Sequence, residues 1–177
     1  MLVCFFFNGT ATTEIYALAL HGALPIYVVR RACRKMAEHP SYFEVLTSIT
    51  LAWFARREAD IVVLEVGLGG ELDAMNIVDA EVAVLTTLAL EHTDWLGDNL
   101  EAIARTKAGI VRPGTHVITG WPPEFHRFIP PCASLANGAS AREWAALALE
   151  RLGIAGEVGK TQPPGRREQA RNIMLDC

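Results

Sequence analysis

The sequence predicts an α/β fold, a mostly parallel sheet flanked by helices, and three observations carry that prediction. Residues 61–65 (IVVLE) are an apolar, β-branched run that ends on a carboxylate and a glycine-rich turn, as a buried strand does at the C-terminal edge of a parallel sheet. Residues 81–88 (EVAVLTTL) repeat the pattern and lead into the polar Glu91-His92-Thr93-Asp94. Around these runs lie stretches of helical period, and helices alternating with short buried strands define a parallel α/β sheet. A chain of 177 residues with 51% hydrophobic content is enough for one domain with a substantial core.

Composition excludes several functional classes. A formal charge of −4, with no long run of Lys and Arg, gives no electrostatic reason to bind nucleic acid. No uninterrupted apolar stretch reaches the ~20 residues that a membrane-spanning helix needs. Cys4, Cys33, Cys132 and Cys177 are scattered without a CxxC pair, which suggests neither a disulfide framework nor a zinc site and fits a reducing cytoplasm.

Residues 1–26 lack the basic start and small-residue cleavage site of a signal peptide. Residues 8–26 resemble the conceptual translation of a common sequencing adapter, from which they differ at Gly9, Ala17, Ala19 and Gly22. The expectation is that residues 1–26 are a library artefact and take no part in the α/β core. Residues 27–39 read as basic and irregular, ending before Pro40, which disfavours helix at the preceding residue. Ser41 then precedes an amphipathic helix in which Phe43, Leu46, Ile49, Thr50 and Phe54 share a face, with Ser41 or a neighbour as N-cap and Glu44 in the first turn.

After the strand at 61–65, Gly67, Gly69 and Gly70 permit backbone conformations that a Cβ penalises, and Asp73 and Asn76 follow closely. Residues 99–110 are helical by period, with Leu100, Ile103 and Ala104 on one face and Lys107 near the end. Pro113-Gly114 makes a turn before a short strand at 115–120. The proline-rich 121–137 reads as a linker or a shortened segment, and 139–152 as a helix stopped by Gly153. PPGRR is a further turn, and 172–176 (NIMLD) reads as the opening strand of a following domain. The chain therefore divides into 1–26, a central domain at 27–170, and the start of another at 171–177.

Glu65, His92 and Lys107 stand at the ends of successive elements, and such ends converge in a parallel sheet. Glu65 offers a hard oxygen to Mg²⁺, whereas His92 is a less usual Mg²⁺ ligand. Lys107 repels a cation while protonated but becomes an anionic oxygen ligand as a carbamate. Each also has a plain structural reading: Glu65 as a solvated strand end, His92 as a hydrogen-bonded loop residue, Lys107 as a cation favoured at a helix C-terminus.

The stretch LEVGLGGELDAMNIVDAEVAVLTTLALEHTDWLGDNLEAIARTKAGI resembles the central domain of the dihydrofolate synthase/folylpolyglutamate synthase family of Mur ligases. The resemblance covers about residues 41–120. It implies an ATP-dependent, often monomeric ligase that phosphorylates a carboxylate of dihydropteroate or folate and lets the amino group of L-glutamate attack the acyl phosphate. By position it implies Mg²⁺ ligation by Glu65 and His92, and a carbamylated Lys107 as metal ligand and catalytic residue. Ser41, Tyr42, Phe43 and Glu44, with Leu72, Asp73 and Ala74, match positions that line the pteroate site. Asn137, Arg166 and Asp176 match ATP-contacting positions, Asp176 being the aspartate that opens the C-terminal domain.

The departures from the family pattern have chemical consequences. Glu71 stands where the family has arginine, Met75 where it has threonine, and Glu91 where it usually has aspartate. The glycine-rich phosphate loop expected upstream of Ser41 is not among these residues, so the chain is expected to bind ATP weakly and to be inactive by itself. Two alternatives accompany this reading: another Mur-type amide ligase, or a non-catalytic, mis-assembled remnant.

Overall fold

The computed structural model describes residues 4–7, 14–15, 23–57, 59–154 and 171–176. Its strands are β1 (Cys4–Phe7), β2 (Glu14–Ile15), β3 (Ile61–Glu65), β4 (Val82–Leu85), β5 (His116–Thr119), β6 (Ser134–Asn137) and β7 (Arg171–Asp176). Its α-helices are α1 (Ala23–Cys33), α2 (Tyr42–Arg57), α3 (Thr93–Leu96), α4 (Leu100–Ala108) and α5 (Ala141–Arg151). The strands form one sheet in the order β2-β1-β3-β7-β4-β5-β6. From β3 to β6 every pairing is parallel, as the sequence predicts.

The pleat divides the core into two layers. Val62, Leu64, Ala83, Leu85, Val117 and Met174 face one side, where they meet Phe54 of α2, Met75, and Ala104 and Ala108 of α4. Ile61, Val82, Val84, Ile118 and Ile173 face the other, where Ala148 of α5 and Leu152 cover them. Val82–Leu85 are buried on both faces, which is why that run is continuously apolar.

Local chemistry starts the helices where the sequence predicts. At α2 the Glu44 N–H donates to Ser41 Oγ (3.2 Å) and the Ser41 N–H donates to Glu44 Oε2 (2.6 Å), a reciprocal capping box. Asn99 caps α4 by accepting from the Ala102 N–H at 2.9 Å, and Ser140 caps α5 by accepting from the Glu143 N–H at 3.3 Å. Ser41→Ala removes half of the α2 box, and a urea midpoint shift equivalent to about 1 kcal/mol is expected. No measurable shift would show that the cap is redundant with the packing of α2.

Three expectations are corrected. Residues 1–26 do not stand wholly outside the sheet: β1 pairs antiparallel with β3, from Cys4 opposite Leu64 to Phe7 opposite Ile61, and β2 pairs with β1. The physical reason is the edge of β3, whose backbone groups on the side away from β7 would otherwise lack strand partners. The basic stretch read as irregular belongs largely to α1, which packs against α2 and buries Val29. Packing of an apolar stripe outweighs weak local propensity there. The proline-rich segment contains a 3₁₀ helix at Pro123–Phe128 and edge strand β6, in register with β5 from His116 opposite Ser134 to Thr119 opposite Asn137. Finally, β7, the strand expected to open a following domain, lies between β3 and β4 in the centre of the sheet, parallel to both. Ile173 and Met174, buried on opposite faces, suit a central strand.

Candidate functional site

The parallel strands deliver Glu65, Asp176, Thr119 and Asn137 to one edge of the sheet, beside the glycine turn that follows β3. Asp73 shapes that turn. Its Oδ2 accepts from the Gly67 and Leu68 N–H groups, each at 3.0 Å, and its Oδ1 accepts from the Met75 N–H at 2.9 Å, capping the 3₁₀ helix Ala74–Ile77. The turn then docks on the end of α4, where the Glu71 N–H donates to the Thr106 carbonyl at 3.0 Å. Gly70, at φ +136°, is needed there: a Cβ would lie 2.9 Å from the Thr106 oxygen and 3.0 Å from the Lys107 oxygen.

Lys107 and Asp176 are the deeply buried charged residues of this edge. The Lys107 side chain is 2% exposed, and Nζ donates to Asp176 Oδ1 at 2.9 Å and lies 3.3 Å from Glu91 Oε1. Asp176 Oδ2 is buried without a hydrogen-bond partner. Burial pushes the Asp176 carboxyl up to about 7, against the opposing pull of the Lys107 ammonium, and the Glu91 carboxylate adds to the rise. Two carboxylates share one ammonium, so the more buried of the two is the one driven towards its neutral form.

The sequence-predicted residues are only partly brought together. Glu65 follows Ile61 and Val63 in the pleat and pairs with Leu175, which sets it towards the α5 face. Asp176 follows Met174 and faces the α4 side with Lys107. His92 is exposed, at φ +51°, and caps α3 with its backbone. Alternation along the strands thus sets Glu65 and Lys107 on opposite faces at this edge of the sheet. Among the described residues no group of three or more His, Cys, Asp and Glu side chains could hold a metal ion. Asn137 is exposed at the end of β6. Arg166 lies outside the described residues.

Glu44, Leu72, Asp73 and Ala74 line a cavity of about 640 Å³ between α1, α2 and the turn. Val29 and Cys33 of α1 and Leu51 of α2 give it apolar walls, and Arg112 adds a cation that the sequence reading missed. Ser41 and Glu44 are engaged in the α2 cap, and its hydrogen bonds hold the Glu44 carboxyl below its ordinary range. Tyr42 is largely exposed, and the Phe43 ring packs against Gly67, where a Cβ would lie 2.8 Å from Cζ. Glu91 stands out in the sequence as part of a polar strand end and as a departure from the family pattern; its contact with Lys107 had no local signal.

A carboxylate-tipped parallel strand, a glycine turn docked on a helix end and a buried lysine on that helix meet at one edge of an α/β sheet. Residues 9–118 match the Mur ligase middle domain, and the chain belongs to that family. Among curated relatives, the dihydrofolate synthase/folylpolyglutamate synthase of Escherichia coli K12 is 56% identical over 82 residues, 46% of this chain and 19% of that protein. An E. coli FolC structure in complex with DHPP and ADP aligns with a TM-score of 0.68 at 30% identity, covering 82% of this chain and 43% of the other. A Yersinia pestis folylpolyglutamate synthase/dihydrofolate synthase complexed with AMPPNP and Mn ion aligns at TM-score 0.53 and 39% identity, covering 63% and 28%. The chain thus spans about a fifth of the length of the E. coli protein.

Proposed function

We propose that this chain is part of the central domain of a cytoplasmic, ATP-dependent ligase that joins L-glutamate to dihydropteroate or folate through an acyl phosphate. The observation that carries the reading is the Gly67–Glu71 turn docked on α4 beside the buried Lys107, within the stretch that matches the family. The cavity that includes Glu44, Leu72, Asp73 and Ala74 would take the pteroate moiety, its apolar walls suiting an aromatic heterocycle. Glu71 lines the same cavity, so an anionic ligand meets a carboxylate where the family has a cation.

Asn137, Arg166 and Asp176 are assigned to ATP, and Mg²⁺ is the divalent ion of the complete enzyme, with Glu65, His92 and a carbamylated Lys107 as its ligands. Bound Mg²⁺ would neutralise charge on the transferred phosphoryl group. In the unmodified chain Lys107 is an ammonium paired with two carboxylates and would become a ligand only as a carbamate, while Glu65 would approach from the other layer at the same sheet edge. This chain's residues hold the turn, bury the lysine and enclose the cavity.

The test is phosphate release coupled to product, with ATP, Mg²⁺, L-glutamate and dihydropteroate. The 177-residue chain is expected to show none, because the glycine-rich, phosphate-cradling loop that the family resemblance places upstream of Ser41 is not in residues 1–40. A gene product extended at both ends to the length of its relatives is expected to show it, and to lose it in Glu65→Ala. Turnover by the 177-residue chain, or none by the extended one, would overturn the reading.

A further inference from the structure

The Asn76 carboxamide joins two segments that are 33 residues apart in sequence. Its Nδ2 donates to the Glu71 carbonyl at 2.9 Å, in the glycine turn, and to the Gly109 carbonyl at 3.2 Å, at the C-cap of α4. Its Oδ1 accepts from Arg112 Nη2 at 3.0 Å, while Arg112 Nη1 donates to the same Gly109 carbonyl at 2.7 Å. Only one amide orientation satisfies these partners, because guanidinium has no acceptor and carbonyls have no donor. The two backbones meet closely at this point: a Cβ on Gly109 would lie 2.5 Å from Glu71 Cβ.

We propose that Asn76 is a positioning residue for Lys107, its carboxamide clamping the glycine turn to the last turn of α4 and so holding the lysine in its buried place. The argument has three parts. A helix end leaves carbonyls without intrahelical partners, and here one of them receives both Asn76 and Arg112. Lys107 lies two residues before Gly109, so movement of that helix end moves the lysine directly. The opposite jaw of the clamp is Glu71, whose N–H bonds Thr106, the residue before Lys107. The functional weight of this placement rests on the proposed ligase reading; the placement itself does not.

Limited acetylation with acetic anhydride, followed by peptide mass spectrometry, tests it. Lys35, Lys107 and Lys160 are the lysines of the chain, and exposed Lys35 serves as the internal reference. Asn76→Ala is expected to raise the Lys107 rate relative to Lys35 by about tenfold, the change in local opening that corresponds to ~1.4 kcal/mol. Asn76→Asp, which keeps the acceptor for Arg112 but loses both donors, is expected to do the same. Val117→Ala, a core truncation in β5, supplies a control lowered in stability without touching the clamp.

A Lys107 rise below about twofold in both Asn76 variants would overturn the proposal. An equal rise in Val117→Ala at matched melting temperature would do so as well, since protection would then follow global stability. Failure of both Asn76 variants to fold would also overturn it, assigning Asn76 to the fold as a whole. Acetylation requires neither nucleotide nor folate, so a negative ligase assay leaves its outcome untouched.

Discussion

Lys107→Ala is expected to lower the unfolding free energy at pH 8 by roughly 3–5 kcal/mol, the cost of breaking a buried ion pair by removing one partner. Asp176 would keep a carboxylate that is 2% exposed, with Oδ2 already lacking a partner and Oδ1 losing its donor at 2.9 Å. Glu91, 39% exposed, would rehydrate and contribute less. Against a typical total stability of about 5–15 kcal/mol, that loss is enough to shift the urea midpoint plainly. The double variant Lys107→Met/Asp176→Leu is expected to recover much of it, because two apolar side chains leave no charge uncompensated. With the single variants Lys107→Met and Asp176→Leu the double variant closes a thermodynamic cycle, and a coupling below about 0.5 kcal/mol would show that the pair does not act as a unit.

The second large effect is on pH dependence. The Asp176 carboxyl lies at about 7 in the folded chain, against 3.8 ordinarily, so between those values the native state holds a proton that the unfolded state has released. Stability from this group is fully present below pH 3.8 and is lost as pH rises through about 7. Asp176→Asn removes the titration while keeping an oxygen for Lys107 Nζ. Relative to the parent, it is expected to gain stability between pH 4 and pH 8 by roughly 2–4 kcal/mol, at about 1.4 kcal/mol per unit of pKa. Urea midpoints measured at pH 4, 6 and 8 decide it; parallel profiles for parent and variant would mean that Lys107 outweighs burial and that Asp176 is charged throughout.

Both predictions concern a contact that local sequence does not encode. Lys107 and Asp176 are 69 residues apart, and their pairing depends on β7 lying between β3 and β4. A reading of NIMLD finds an apolar strand ending in an acid, but nothing in those residues says which sheet they enter or between which strands. The cavity shows the same division. The capping signature of Ser41 and Glu44 is visible in the sequence, whereas the wall from α1 depends on a helix whose residues carry little propensity signal.

By itself the sequence determined the α/β class, the strands at Ile61–Glu65, Val82–Leu85 and His116–Thr119, and the helices after Ser41, within 99–110 and within 139–152. These follow from β-branched runs, helical period and side chains that bond a backbone N–H three residues on, all interactions within one turn or strand. The family match likewise rests on a continuous stretch of residues. Tertiary structure alone decided that β1 joins β3, that β7 takes the centre, and that Lys107 faces Asp176 and Glu91 while Glu65 turns towards α5. The reason is strand register: which face a side chain takes is fixed by pairing to strands distant in sequence, and successive residues of a strand point to opposite faces.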